Sequence, residues 1–147
     1  MNKNTNGHND LFLSAATASN LMKVINNEVQ AEIANRSHPR KEDTAFGTSI
    51  ETMLSQSARI KQWAFDLKRL NYSPSASELQ TVQNLLVDNA LLSRENRPHM
   101  MTLTRNTSYG ARSNKILKNW GYFTVLQDQM MESIVGMLMK EISSNQN

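Results

Sequence analysis

Apolar residues recur along most of this chain at steps of three and four, the mark of helices that bury one face. Leu21, Met22, Ile25, Val29 and Ile33 form one stripe and predict a first helix over 16–33. A polar turn over 35–43, with Pro39, follows. Asp43 or Thr44 then caps a second helix whose Phe46, Ile50, Met53, Leu54 and Ile60 face inward, with Trp63, Ala64, Leu67 and Leu70 continuing it as a connector. A third helix starts near Ser75 or Ser77, carries Leu79, Val82, Leu85, Leu86, Ala90 and Leu91, and reaches Arg94; Pro98 is expected to end it. The pattern dissolves over 98–113 into what reads as a long loop, a short helix follows over 114–119, and a last helix is expected over 123–142.

The start of the chain admits two readings. Residues 1–8 are Asn-rich and predict a flexible arm. Leu11, Ala15, Ala18, Met22, Ile25, Val29 and Ile33 fit one long amphipathic helix. The dense run Leu11-Phe12-Leu13, with Ser14 placed to cap a helix just after it, instead favours a strand over 9–14. The strand is the reading carried forward. Its parity would turn Leu11 and Leu13 to the core and Asp10, Phe12 and Ser14 to the opposite face. A lone strand must pair, and the same strand of a second copy is the cheapest partner. Strand, helix and helix in about fifty residues is the plan of a ribbon-helix-helix unit, whose paired strands enter the DNA major groove. The expected fold is therefore mainly α: a ribbon-helix-helix dimerisation unit over 9–71, then a helical oligomerisation region over 75–147.

Composition narrows the chemistry. The 147 residues include no cysteine, which excludes disulfides, thiolate metal sites and thiol catalysis. His8, His38 and His99 lack the i, i+4 partners of a metal site, and Glu28 and Glu32 read as a solvated pair, so no enzyme and no cofactor is expected. No apolar run approaches the roughly 18 residues of a membrane span, and no signal peptide precedes the polar start, so the expectation is a cytoplasmic chain without membrane insertion. A hydrophobic fraction of 39% is lean and favours a homo-oligomer, dimer or tetramer.

Sixteen Lys+Arg against 13 Asp+Glu give a net charge of +3, which permits double-stranded DNA as a partner. Two phosphate surfaces are candidates. One is the start of the second helix, where Arg40, Lys41, Thr44, Gly47, Thr48 and Ser49 offer cations, hydroxyls and close backbone approach. The other is the run Arg94, Arg97, Arg105, Arg112, Lys115 and Lys118, opposed only by Glu95, which reads equally as a solvated loop. Asp10, Phe12 and Ser14 are the candidate base contacts. Leu126, Met130, Ile134, Met137 and Leu138 form a stripe expected to be an oligomer contact.

Asp10-Leu11-Phe12-Leu13-Ser14, Met22-x-x-Ile25, Asp43-x-x-Phe46 and Met53-Leu54 before Arg59-Ile60 resemble the N-terminal domain of TraM-like relaxosome proteins of conjugative plasmids. The resemblance covers about residues 9–60. It implies a dimer reading sites near an origin of transfer and a helical C-terminal part that makes tetramers and receives the tail of a coupling-protein ATPase. The function expected is that of a sequence-specific DNA-binding protein, either a relaxosome accessory factor or a transcriptional regulator, with a coupling protein or relaxase as a further partner. It puts base reading on Asp10, Phe12 and Ser14 and phosphate anchoring on Gly47, Thr48 and Ser49. The competing expectation is an all-helical oligomeric scaffold, viral or secretion-associated, without specific DNA binding and with its first segment helical throughout.

Overall fold

In the computed structural model, which describes residues 3–105 and 110–145, with side chains over 7–105 and 114–145, the chain forms four long helices: α1 (Lys3–Ala34), α2 (Lys41–Leu70), α3 (Ala76–Arg105) and α4 (Gly110–Asn145). They pack in the cyclic order α1·α2, α2·α3, α3·α4 and α4·α1. Short turns at 35–40 and 71–75 make neighbours antiparallel, giving an up-down-up-down bundle.

The mainly α expectation holds, and the strand does not: no strand occurs among the described residues, and 9–14 lie within α1. A helix satisfies its own backbone groups, whereas a single strand would leave them for a partner. Helical geometry also resolves the Leu11-Phe12-Leu13 run, because three successive residues fall on three faces. Leu11 joins Ala15, Ala18, Met22, Ile25 and Val29 in the core, Phe12 lies at the flank against Phe65 with rings 5.6 Å apart, and Leu13 is 53% exposed. The arm expected over 1–8 is helical from Lys3 onward; Met1 and Asn2 lie outside the described residues. His8 is buried there, and desolvation holds its imidazole below its ordinary pKa.

The expected division at 71–75 is a turn and not a domain boundary, because one core draws on all four helices. Asn71 closes α2 in the left-handed region (φ 48°, ψ 50°), its N–H donating to the Leu67 carbonyl at 2.9 Å. Asparagine tolerates that conformation better than most residues. Ser75 then opens α3 by accepting the Glu78 N–H on its hydroxyl at 3.1 Å. The Glu78 carboxylate accepts from Trp63 Nε1 at 2.9 Å and Tyr72 OH at 2.6 Å on one oxygen. Burial and that carboxylate push the Tyr72 phenol up to about 12.

α3 runs through Pro98 and on to Arg105, so the long loop expected over 98–113 is replaced by helix on both sides of 106–109, which lie outside the described residues. An interior proline costs about 3 kcal/mol. Beyond it Met100 and Leu103 are fully buried, at about 1.5–3 kcal/mol each, which outweighs that cost. The short helix at 114–119 and the last helix merge into α4, with Gly121 inside it.

The core stripe of α3 keeps its spacing after Leu86 while changing its chemistry: Asn89, Ser93 and Asn96 are buried before Met100 and Leu103 resume. Asn89 Nδ2 donates to the Met53 carbonyl at 3.2 Å and to Gln56 Oε1 at 2.9 Å, and Gln127 Nε2 donates to Asn89 Oδ1 at 2.7 Å. Asn96 Nδ2 reaches Ser49 Oγ at 2.8 Å. A polar layer thus ties α2, α3 and α4 at mid-bundle.

Candidate functional site

Antiparallel packing brings the α1–α2 turn and the junction of α3 with α4 to the same end of the bundle. The two basic segments, separate in sequence, meet there. Three Lys+Arg lie at 36–41 and six at 94–118. Eight of these nine, all but Arg94, lie within ten helical residues of this end, or about 15 Å, where they face Glu28, Glu32, Glu42, Asp43, Glu51 and Glu95. That is an excess of two out of the net charge of +3, the other eight cations facing seven acids. Arg40, Lys41, Arg94, Arg97, Arg105, Lys115 and Lys118 are exposed; the Arg112 side chain lies outside the described residues. Two helices start and two finish at this end, so their dipoles largely cancel and the positive character comes from side chains.

Asp43 holds the end together. Its Oδ2 accepts from the Arg40 N–H and from Arg36 Nη1, both at 3.2 Å, and its Oδ1 lies 2.9 Å from His99 Nε2. His99 stacks on Phe46 with centroids 4.4 Å apart. The turn is thereby fastened to α2 and to α3, beneath the exposed cations. Burial pushes the Asp43 carboxyl up, but the Arg40 amide, the His99 hydrogen bond and the Arg36 charge outweigh it and hold the group below its ordinary 3.8. A carboxyl depressed in the folded state stabilises above its unfolded pKa, and that contribution is lost as pH falls through the folded value. Asp43→Asn is therefore expected to cost about 1–3 kcal/mol near neutral pH and to flatten the acid limb of the stability curve. Urea midpoints across the acid range check this; parallel parent and variant curves would refute it.

Of the other residues expected to anchor phosphate, Gly47 and Ser49 are engaged by neighbouring helices, while Thr44 and Thr48 are exposed. Gly47 lies beneath α1, where an added Cβ would meet Ile33 Cδ1 at 3.1 Å and the Gln30 amide at 3.2–3.3 Å. Its carbonyl accepts from Gln30 Nε2 at 3.0 Å. The close approach is between two helices, not to a ligand. Thr48 donates its hydroxyl back to the Thr44 carbonyl, and the Ser49 hydroxyl accepts from Asn96.

Asp10, Phe12 and Ser14 lie near the opposite end, since 24 residues of helix rise span about 36 Å from Asp10 to Ala34. Ser14 Oγ donates to Gln129 Oε1 at 3.5 Å. The candidate base-reading and phosphate-anchoring residues are not brought together. The stripe expected to hold an oligomer is spent inside the protomer: Met130 and Ile134 are core, Leu126 and Met137 pack against it, and Leu138 is half-buried. α1 and α3 flank α4 and cover that face, which one short neighbour could not.

Sequence reasoning missed Asp43 as the link between Arg36 and His99. The cap of the second helix was expected at Asp43 or Thr44; the N-cap is Arg40, and Asp43 stands at N3 with its carboxylate turned back to the Arg40 N–H, while nothing local signals a partner 56 residues away. Among the described residues no group of three or more His, Asp or Glu is placed to hold a metal, and no helix is long and apolar enough to cross a membrane. No family model, curated protein or solved structure matches this chain.

Proposed function

We propose that this chain is a non-enzymatic DNA-binding protein that meets duplex phosphates with the basic end of its bundle. The observation that carries the reading is the convergence of residues 36–41 and 94–118 on one end, which places most of the net charge there. Side-chain cations on a rigid end suit binding to the DNA backbone, which supplies affinity without reading sequence. The basic end does not by itself supply the sequence-specific recognition at an origin of transfer that the relaxosome resemblance implies, because Asp10, Phe12 and Ser14 sit far from these cations.

Arg40, Lys41, Arg105 and Lys115 changed together to Gln are expected to weaken binding to any duplex more than about tenfold at physiological salt. The salt slope should fall by about 0.9 for each phosphate the variant no longer neutralises. Asp10→Ala with Ser14→Ala should leave affinity unchanged. Titrating labelled duplex of random and selected sequence at several salt concentrations measures both. Unchanged affinity and slope in the fourfold variant overturn the reading. A loss confined to selected DNA in the Asp10/Ser14 variant would return base reading to the N-terminal segment.

A second reading, an all-helical scaffold without specific DNA binding, is favoured by the helical conformation of 9–14. Absence of salt-dependent binding by the parent would select it.

A further inference from the structure

Two surfaces away from the basic end are left incomplete by the protomer, and they match one another. The first is an open groove of about 650 Å³ between α1 and α2. Ser19 and Ala58 give it a shallow middle, Phe12 and Phe65 wall one end, and Leu54 lies toward the other. Lys23 and Lys61 line it, and Lys68 Nζ stands 5.1 Å from the centroid of the Phe12 ring. Among the described residues neither Lys23 nor Lys61 has a carboxylate at ion-pair distance.

The second surface is the outer face of α4. Opposite the buried Phe123, Gln127, Met130 and Ile134, the helix turns out Gly121, Val125, Asp128, Glu132, Gly136 and Met139, again at steps of three and four. Val125 is 53% and Met139 64% exposed. A Cβ at Gly121 or Gly136 would meet nothing within 4 Å, and neither residue has a positive φ. Glycine inside a helix is destabilising relative to alanine, and the packing of the protomer requires it at neither position. Glycines beside exposed apolar and acidic residues let another surface approach the helix closely.

We infer that the outer face of α4 in one copy of this chain docks in the α1–α2 groove of a second copy. Charge and length select this occupant. Asp128 and Glu132, one turn apart, meet Lys61 and Lys23, and an apolar residue at the end of the stripe reaches the Phe12–Phe65 rings. The groove from Phe12 to Lys23 covers eleven residues of helix rise, about 16 Å, and the stripe from Gly121 to Met139 covers eighteen, about 27 Å, long enough to span it. α4 packs on α1 and α3 whereas the groove lies between α1 and α2, so the two surfaces occupy different sides of the bundle. The contact is therefore heterologous, and copies add head to tail.

Sedimentation of the full chain over a wide concentration range tests this. The parent should associate reversibly beyond the dimer, less strongly as salt rises. Lys23→Glu with Lys61→Glu, and separately Asp128→Lys with Glu132→Lys, should each weaken association at least about tenfold, since like charges across an interface are strongly unfavourable. An equimolar mixture of the two variants should restore it, because each groove then meets a stripe of opposite charge. Gly136→Gln, a change into open space, should raise the thermal stability of the monomer yet weaken association. Circular dichroism confirms folding in each case. A parent that remains monomeric throughout, reversed variants that associate like the parent, or a mixture that fails to recover would overturn the inference. The first of these outcomes would leave the groove to an acidic segment of another protein.

Discussion

Ile134→Asp is expected to unfold the bundle, not to release a protomer from an assembly. The side chain is 0% exposed and belongs to the core shared by all four helices. Removing it forfeits about 1.5–3 kcal/mol of apolar burial. A lone carboxylate in its place adds several kcal/mol of desolvation, with no cation among the neighbouring core residues to repay it. Against a typical total stability of about 5–15 kcal/mol, that sum leaves little native population. The expected result is loss of most far-ultraviolet helical signal at ambient temperature, or a melting transition displaced far downward. A variant with the parent's helicity and melting curve but a smaller assembly would reinstate the stripe as an oligomer contact.

The polar layer at mid-bundle should show strong non-additivity. Asn89→Leu takes the acceptor from Gln127 Nε2 and the donor from Gln56 Oε1. Each buried group left unsatisfied costs about 1–3 kcal/mol, so the single variant is expected to lose about 2–4 kcal/mol. Gln127→Leu alone strands only the Asn89 carbonyl oxygen and should cost less. The double variant removes both partners of the Asn89–Gln127 bond at once and is expected to recover that part of the loss, while Gln56 Oε1 still lacks its donor. Urea unfolding of the four proteins in the cycle measures the coupling, expected at about 1–3 kcal/mol. Additive effects within about 0.5 kcal/mol would mean that the layer does not act as a unit.

How far the sequence could be read depended on whether a stripe stayed apolar. Along α2, Phe46, Ile50, Met53 and Ile60 are buried as their spacing predicts, and both ends of the 71–75 turn were legible from Asn71, Pro74 and Ser75. Along α3 the same spacing continues through Asn89, Ser93 and Asn96, where hydrophobicity no longer marks it, and Pro98 then reads as a stop. Asn89 and Asn96 can be core because partners on α2 and α4 satisfy them, a fact no window of one helix contains. At the chain start the error was one of density. Three apolar residues in a row look like a strand, yet a helix can use each differently: one in the core, one against a neighbouring ring, one left in solvent. The basic segments were visible as charge runs; their meeting depended on the number and direction of helices between them.

An even number of antiparallel helices has a geometric effect that reaches beyond binding. α1 begins and α4 finishes at the same end of the bundle, the one remote from residues 36–41 and 94–118. Anything joined to either terminus, whether a flexible leash, a second globular unit or a solid support, therefore attaches on the far side and leaves the cationic face unobstructed. Tethered copies would all display that face outward in one orientation, like bristles on a brush. The 35–40 turn is the opposite kind of location: an insertion there would sit directly over the cations and act as a cap.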